Sequence, residues 1–474
     1  MNRREFLIKG GLAASALAVP SALRLRAQTD SPSRRPPPGR RTFASPAVEA
    51  RLAQVAAAIP NPGLRELFEN CYPNTLDTTI TFQTAGGVED TFIITGDIPA
   101  MWLRDSSAQT FVYMPLAARD EALRGLFRGL IRRQAKCVLL DPYANAFYAG
   151  PTLGGFRHDH TVMKPGVHER KWEIDSLCYP VEVAHAYWRA TGDRAPFDDT
   201  WHEAARLTLA TLRTEQRLDG KTPYRFARES HSFYDNSPNG GRGNPTRKIG
   251  LIHSAFRPSD DCCLFPFLIP SNFFAVKALR HLAELAGEVA HDAELKRECL
   301  GVAGVVEEAL RQHASCVHPI HGRIWAFEID GFGNALMMDD ANVPSLLSLP
   351  YLGCCGAEDP LYRSTRGFAL SGENPYFHRG RLAEGIGGPH VAPNMIWPLS
   401  IIMRAMTSTK DAEIAACLRM LARTDAGTGF MHESFDPDKP SVYTRPWFAW
   451  CNSMFATLIL RLADTRPDLL KASA

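Results

Sequence analysis

Residues 172–191 read WEIDSLCYPVEVAHAYWRAT, and they show the pattern that decides the fold. Two acids, Glu173 and Asp175, stand directly before a run in which apolar side chains recur at helical spacing. A polar or aromatic cluster precedes an apolar helix in this way six times, at residues 102–105, 173–175, 259–261, 339–340, 390–394 and 432–433. The clusters are roughly 40 to 85 residues apart, about the length of a helix pair with its loops. Helix pairs that present polar loops at one end can close around a cleft, so the spacing predicts a mainly α protein, an (α/α)6 toroid.

Amphipathic periodicity predicts most of the helices directly. Ser45-Pro46 offers an N-cap and a first-turn proline to a helix that carries Leu52 and Val55. Other helices are predicted around residues 123–131 and near 176–191, 202–217, 270–287, 292–313, 396–407, 411–423 and 447–463. Strand-like sequence is confined to short pieces, residues 78–83 with 91–95 around Gly86-Gly87, and residues 323–329 before Asp330-Gly331. These pieces predict short β-hairpins that decorate the helical body.

The N-terminus predicts export. Arg3-Arg4, followed by a short and weakly apolar stretch from Gly10 to Ala18, is typical of a twin-arginine signal peptide over residues 1–30. The expected location is therefore periplasmic or secreted, with a basic amphipathic start to the first helix as the alternative. The apolar stretch is too short to span a bilayer, so no stable membrane anchor is expected. Residues 31–46, rich in proline and arginine, predict an extended linker, and residues 47–474 form the remaining domain.

Composition and motifs exclude several classes of function. The 474 residues are 45% hydrophobic and hold 53 basic and 51 acidic side chains. Residues 42–474 carry a net charge of −5, which disfavours a nucleic-acid partner. No phosphate-binding or dinucleotide-binding loop, serine elbow or HExxH motif occurs, and no cofactor is expected. The eleven cysteines include no CxxC pair, so buried free thiols are expected, and the stretch from Cys316 to His321 lacks a fourth ligand for a metal site.

Carboxylates next to tryptophans point to carbohydrate chemistry. The C–H face of a sugar packs on an aromatic ring, while carboxylates, amides, arginine and histidine hydrogen-bond its hydroxyls. Cleavage of a glycosidic bond also needs one protonated and one ionised carboxyl. Asp260 and Asp261 lead into an apolar segment, so one can cap a helix while the other faces the cleft in an apolar surround that would raise its pKa, as a general acid requires. Glu433 is flanked by aromatic residues and Gly429, which disfavours a solvated surface charge.

Two other clusters stay ambiguous at this level. Asp339-Asp340 could supply hydrogen bonds to a substrate or could cap a helix, with about equal weight. Arg104 could simply hold Asp105 in an ion pair.

Five motifs in order resemble glycoside hydrolase family 125. They are the stretches 96–106 (GDIPAMWLRDS), 171–177 (KWEIDSL), 256–261 (FRPSDD), 388–394 (GPHVAPN) and 431–435 (MHESF). The similarity runs from about residue 48 to 464, nearly the whole domain. The resemblance implies a metal-independent, inverting exo-α-1,6-mannosidase with an (α/α)6 fold, acting on α-mannoside oligosaccharides or glycan chains. It makes residues 47–474 a catalytic domain.

Site residues follow from the resemblance motif by motif. It implies that Asp260, the first aspartate of its motif, is the general acid and that Glu433 is the general base. Residues of the same motifs are expected to bind the sugar: Trp102, Arg104, Asp105, Asp175, Arg257, Asp261, His390, Asn394 and His432. Two alternatives are an (α/α)6 glycosidase of other linkage specificity and a non-catalytic glycan-binding protein. The presence of both Asp260 and Glu433 favours an enzyme, because binding alone needs no acid and base.

Overall fold

The computed structural model describes residues 34–230 and 232–472. The predicted export signal, residues 1–30, lies outside the described residues. The described chain is mainly helical, with short strands between the helices. Across the described ranges, no helix is both long enough and apolar enough to span a bilayer. All eleven cysteines are free thiols, and most of them are buried.

The helices lie close to their predicted positions. Each predicted segment beyond residue 170 is a helix whose ends fall within about three residues of the expected ones, so the periodicity argument is confirmed. The α-helices of five residues or more in the described part of the chain are α1 (Pro46–Ala56), α2 (Pro62–Cys71), α3 (Asn74–Thr78), α4 (Leu103–Ala108), α5 (Glu121–Leu140), α6 (Ile174–Thr191), α7 (Asp199–Glu215), α8 (Ile269–Glu288), α9 (Ala293–His313), α10 (Pro360–Ala369), α11 (Pro398–Met406), α12 (Asp411–Ala422), α13 (Ala449–Thr465) and α14 (Pro467–Ala472).

Side-chain caps define where the first helices begin. The Ser45 hydroxyl accepts a hydrogen bond from the backbone N–H of Val48, as the sequence predicts for the start of α1. Asp120 caps α5 by accepting from the N–H of Leu123. The Ser45 hydroxyl also donates to Asp120, at 2.6 Å, so the two helix starts are joined.

The strands form small antiparallel sheets between the helices. They are β1 (Ile80–Ala85), β2 (Val88–Ile93), β3 (Met101–Trp102), β4 (Ala146–Phe147), β5 (Val167–Glu169), β6 (Phe267–Leu268), β7 (Ser315–His318), β8 (Gly322–Trp325), β9 (Glu328–Ile329), β10 (Ala335–Leu336), β11 (Phe377–Arg379), β12 (Glu384–Ile386), β13 (Ser434–Phe435) and β14 (Tyr443–Thr444). β1 pairs with β2 across Gly86-Gly87, which confirms the first predicted hairpin. β3, β4 and β5 form one sheet of three strands, and β10, β9 and β6 form another.

The second predicted strand, residues 323–329, is wrong as a single element. β8 pairs with β7, whereas β9 pairs with β10 and β6. Between them, the N–H of Ala326 donates to Ala314 and the N–H of Phe327 donates to Leu336. The chain therefore changes pairing partner at this point, which an alternating sequence pattern does not reveal.

The core lies between the helix layers and reaches the ends that carry the polar clusters. α8 packs on α6 and α9, α4 packs on α6 and α13, and α13 also contacts α2 and α11. The first turns of α4, α6 and α13 are buried together with their polar residues. These buried helix starts position the site described below.

The described end of the predicted linker contacts the domain. The Arg34 guanidinium donates to the carbonyl of Gly427 at 2.8 Å, and its backbone N–H donates to Asn70 at 3.1 Å. Arg35 forms ion pairs with Asp77 at 2.7 Å and Glu49 at 2.5 Å. These contacts tie residues 34–35 to the helical body, while the boundaries of the signal and linker stay predictions.

Candidate active site

One buried arginine, Arg104, contacts four carboxylates. Its Nη1 donates to Glu173 Oε2 at 2.7 Å and to Asp175 Oδ2 at 3.2 Å. Its Nη2 donates to Asp260 Oδ1 at 3.4 Å, and its Nε lies 3.5 Å from Asp105 Oδ2. All five side chains are at most 11% exposed. The expected pair of Arg104 with Asp105 is therefore one of four such contacts, and it is not the shortest.

Helix starts explain why these carboxylates meet. Glu173 is the N-cap residue of α6, and Asp175 lies in its first turn. Asp105 lies in the first turn of α4, and its Oδ1 accepts a hydrogen bond from the Thr95 hydroxyl at 2.5 Å. The unpaired N–H groups at a helix start favour negative charge nearby. The packing of α4 on α6 then brings the two acidic ends together around Arg104.

Asp260 sits in an unusual and polar position. Its φ of 65° is in the left-handed region, and its N–H donates to the carbonyl of Arg257 at 2.9 Å. Its own carbonyl accepts from the fully buried Lys171 Nζ at 2.6 Å. Asn145 Nδ2 lies 3.3 Å from Asp260 Oδ1 and completes the contacts of that oxygen with Arg104.

The apolar surround expected for one of Asp260 and Asp261 is not found around Asp260, whose contacts are polar. Burial and nearby Glu169 disfavour its charged form, but Arg104, Lys171 and a hydrogen bond with Glu173 outweigh them and hold the pKa of Asp260 below its usual range. Burial has the opposite net result for its neighbours. It raises the pKa of Glu173 well above the usual range, despite Arg104, and it raises the pKa of Asp175 to about 6.

Glu433 is linked to the cluster around Arg104 through Arg445. Its Oε1 lies 3.4 Å from Arg445 Nη1. Arg445 Nη2 donates to the carbonyl of Thr95 at 2.7 Å and also binds Asp97. Because the Thr95 hydroxyl binds Asp105, an unbroken series of contacts joins Glu433 to Arg104, and so to Asp260. A series of contacts thus links the two predicted catalytic carboxylates, although 173 positions separate them in the chain.

A third group of predicted residues lies beside Asp261. His390 Nδ1 is 3.2 Å from Asp261 Oδ1. Arg257 is buried and donates its Nε to Glu328 at 2.6 Å, while its Nη1 has no hydrogen-bond partner among the described residues. Asn394 is exposed on the loop that follows His390, with a φ of 68°.

The two neighbouring aspartates Asp339 and Asp340 make different contacts. Asp339 accepts hydrogen bonds from the N–H groups of Leu346 and Leu347 at 2.8 and 2.9 Å, so it holds a turn. Asp340 Oδ1 binds Asn342, but its buried Oδ2 has no hydrogen-bond partner in the described part of the chain. Of the two aspartates, Asp340 therefore has a carboxylate oxygen that no described residue hydrogen-bonds.

Aromatic side chains pack close to the cluster around Arg104. Trp450, in α13, lies 5.4 Å from the Arg104 guanidinium in a cation–π contact. Trp102 is buried and packs edge-on against His168 at 5.2 Å. His432 is buried, and its two ring nitrogens each lie 3.1 Å from a backbone carbonyl, of Arg445 and Asp425. These contacts argue against the predicted sugar contact of His432.

Several residues of the site escaped the sequence argument. Glu173 and Lys171 stand inside a quoted motif, but a carboxylate before a helix is usually a cap. Asn145, Thr95 and Arg445 lie in loops or at strand ends without any periodic pattern. In the described ranges, no group of three or more His, Cys, Asp or Glu side chains could hold a metal ion.

Buried carboxylates around one arginine, a further carboxylate beside its own arginine, and a tryptophan packed on the cluster are residue types that glycoside hydrolase sites use. Comparison with known proteins agrees. A family model described as metal-independent α-mannosidase (GH125) matches residues 61–460. The chain therefore belongs to glycoside hydrolase family 125 and is an α-mannosidase. The match confirms the resemblance that the five sequence motifs indicate.

Individual relatives cover nearly the whole chain. The meiotically up-regulated gene 157 protein of Schizosaccharomyces pombe (strain 972 / ATCC 24843) is 41% identical over 462 residues, which is 94% of this chain and 91% of that protein. A solved structure of a metal-independent α-mannosidase from Streptococcus pneumoniae is 41% identical, with a TM-score of 0.86, over 90% of this chain and 100% of that one. It is described as a non-productive substrate complex with α-1,6-mannobiose.

More distant similarity concerns the fold alone. A family 78 rhamnosidase of Bacillus sp. GL1 matches 86% of this chain and 35% of its own length, with a TM-score of 0.51 and 13% identity. This likeness concerns the fold and says nothing about the activity or the substrate.

Proposed function

We propose that this α-mannosidase is an exo-acting, inverting enzyme that removes terminal α-1,6-linked mannose from glycans. The observation that carries the proposal is the series of contacts that joins Asp260 to Glu433 through Arg104, Asp105, Thr95 and Arg445. It supports an acid and a base that face one substrate from two sides. An α-1,6-mannobiose complex of a relative at 41% identity supports the linkage.

In this proposal, Asp260 gives a proton to the glycosidic oxygen as the bond to the anomeric carbon breaks. Glu433 accepts a proton from a water molecule that attacks the opposite face of the sugar. A single displacement of this kind inverts the anomeric centre and needs carboxyl groups about 6.5–9.5 Å apart, to leave room for the water.

Buried polar atoms without partners support sugar binding around these two groups. Among the described residues, no hydrogen-bond partner exists for Asp175 Oδ1, Arg257 Nη1 or Asp340 Oδ2. An unsatisfied buried polar atom is costly, so these atoms fit the hydroxyl groups of a bound mannose. Trp102, His390 and Asn394 are proposed to complete the sugar site.

We also propose that the helix pairs close as an (α/α)6 toroid around this site. The contacts of α13 with α4, of α4 with α6, and of α6 with α8 support a ring of inner helices, with α11 packed on α13. Export to the periplasm or medium through the twin-arginine signal is part of the proposal and rests on Arg3 and Arg4.

A panel of disaccharides tests the function. Purified enzyme is incubated with α-1,2-, α-1,3- and α-1,6-mannobiose, and released mannose is quantified beside Asp260→Asn and Glu433→Gln as inactive controls. Release from the α-1,6 isomer alone is expected. Release mainly from another isomer would assign a different linkage, and binding without release by the wild type would indicate a glycan-binding protein.

A further inference from the structure

The cluster around Arg104 holds more acid than base. Asp105, Glu173, Asp175 and Asp260 are all buried against this one guanidinium. If all four were ionised, the buried cluster would carry a net charge of −3, which a low-dielectric surround strongly disfavours. At least one of these carboxyl groups must therefore keep its proton at neutral pH.

Other cations nearby are already engaged. Lys171 donates to the carbonyl of Asp260, and its Nζ lies 3.8 Å from Glu169 and 3.5 Å from Asp235. Arg228 binds Glu169 at 2.8 Å. These groups do not remove the excess of carboxylates around Arg104.

Among the carboxyl groups around Arg104, Glu173 and Asp260 are joined to each other by a side-chain hydrogen bond. Glu173 Oε2 accepts hydrogen bonds from Arg104 at 2.7 Å and from the Ser176 hydroxyl at 3.0 Å. Its buried Oε1 accepts none from any N–H or O–H group of the described residues. Asp260 is held by the other Nη of the same guanidinium, and a side-chain hydrogen bond joins it to Glu173. Two carboxyl groups can form such a bond only when one of them carries a hydrogen.

We propose that Glu173 and Asp260 share one proton, and that Glu173 is the positioning residue that supplies this proton to Asp260 in each turnover. This inference rests on the proposed role of Asp260 as the general acid. It explains how an aspartate among polar and cationic groups can act as an acid.

The electrostatics agree with this division. Burial raises the pKa of Glu173 well above its usual range, whereas Arg104 and Lys171 outweigh the effect of burial on Asp260 and lower its pKa. In the free enzyme the proton therefore resides mainly on Glu173, where it is donated to the Asp260 carboxylate.

The proton balance of the step is simple. As the glycosidic bond breaks, Asp260 donates a proton to the leaving oxygen, and the O–H bond of Glu173 breaks as that proton passes to Asp260. Glu433 takes the proton of the attacking water. After products leave, Glu433 releases its proton to solvent and Glu173 regains one, so the net reaction is the addition of water across the glycosidic bond.

Glu173→Gln tests this role. The amide keeps the shape of the side chain and a donor toward Asp260, but it cannot deliver a proton. At neutral pH we expect kcat/KM for α-1,6-mannobiose to fall about 100-fold or more, the contribution of a general acid. For 2,4-dinitrophenyl α-mannoside, whose leaving group needs no proton, we expect a change of less than about fivefold, because general-acid assistance is then unnecessary.

The pH profile separates proton supply from packing. In Glu173→Gln, the fall of mannobiose activity on the alkaline side should begin at least about one pH unit lower than in the wild type, because Asp260 then ionises alone beside Arg104. Ser176→Ala removes a hydrogen bond to the Glu173 carboxyl and is the matched control. It should leave the alkaline side of the pH profile unchanged. Glu173→Asp, which keeps an acid, should recover part of the mannobiose activity.

Infrared spectroscopy provides a readout that does not depend on turnover. At neutral pH, the band of a protonated carboxyl group should be present in the wild type and weaker in Glu173→Gln. Equal losses for both substrates with an unmoved alkaline limb, or an unchanged infrared band, would overturn the inference. Full mannobiose activity in Asp260→Asn would overturn the proposed function itself, whereas an inactive Asp260→Asn beside a fully active Glu173→Gln would overturn only the inference.

Discussion

Arg445 offers the sharpest test of how the general base is held. Its guanidinium contacts Glu433 at 3.4 Å, the carbonyl of Thr95 at 2.7 Å and the carboxylate of Asp97. It also lies 4.7 Å from the ring of Phe448. Replacement by methionine keeps the apolar stem and removes the charge and every donor.

The expected magnitude follows from these contacts. At 3.4 Å, an effective dielectric constant of about 20 gives roughly 5 kcal/mol for the attraction between Arg445 and Glu433. Both side chains are about 15% exposed, so solvent screens part of this attraction, and we expect unfolding to become easier by about 2 to 3 kcal/mol. Without Arg445, we expect Glu433 to shift by about 1 Å relative to the attacking water. A misplacement of this size lowers the rate about 100-fold, so we expect kcat/KM of Arg445→Met to fall by that factor.

Two matched variants make the test specific. Arg445→Lys keeps the charge, but one ammonium group cannot reproduce the fork that reaches three acceptors, so we expect about a tenfold loss. Asp97→Asn removes the charge of a carboxylate that contacts Arg445 and is 43% exposed, and it leaves Glu433 in place, so a change of less than about threefold is expected. Activity on α-1,6-mannobiose and thermal unfolding are measured for all three. A folded Arg445→Met enzyme within threefold of the wild type, or equal losses in Asp97→Asn, would refute the reasoning.

Four further outcomes are expected. Asp260→Ala should slow the hydrolysis of substrates with poor leaving groups most, and Glu433→Ala should stop the turnover of all substrates. With the wild-type enzyme, NMR should detect β-mannose first, and initial α-mannose would rule out a single displacement. Activity should survive EDTA, and a loss restored by calcium would contradict the metal-independent assignment. Replacement of Arg3 and Arg4 by lysine should keep the precursor in the cytoplasm in cell fractionation, and normal processing would contradict the export signal. Burial raises the pKa of Asp175 from 3.8 to about 6, so the folded protein keeps a proton that the unfolded chain releases. The free energy of unfolding should therefore fall as the pH rises between these values, by up to about 1.4 kcal/mol per pH unit. Asp175→Asn should make this slope shallower, and an unchanged slope in thermal unfolding would contradict the assignment.

Sequence patterning predicted the helices well because their signals are local. Ser45 caps the helix whose start it predicts. The apolar periodicity of residues 174–191 is that of a single helix. The strand at 323–329 failed because a change of pairing partner at Ala326 depends on chain segments distant in sequence. Local pattern cannot report which neighbour a backbone N–H will find.

The same limit applies to the site. Motifs located Asp260, Glu433 and Arg104, which the structure connects. The surroundings of Asp260 were not predictable, because Arg104 and Asn145 reach it from positions more than one hundred residues away. Arg445 follows a short strand and carries no motif, so only the folded chain reveals its contact with Glu433.

The contact of Arg34 with Gly427 has a practical consequence for handling the enzyme. Gly427 lies six positions before Glu433, in the segment that leads to it. An affinity tag or fusion partner placed immediately before Arg34 would therefore sit close to the loop that presents a proposed catalytic carboxylate. Removal of the chain up to and including Arg35 would eliminate the contacts of Arg34 with Gly427 and of Arg35 with Asp77. Recombinant versions intended for kinetic work should keep both arginines and attach any fusion at the opposite terminus.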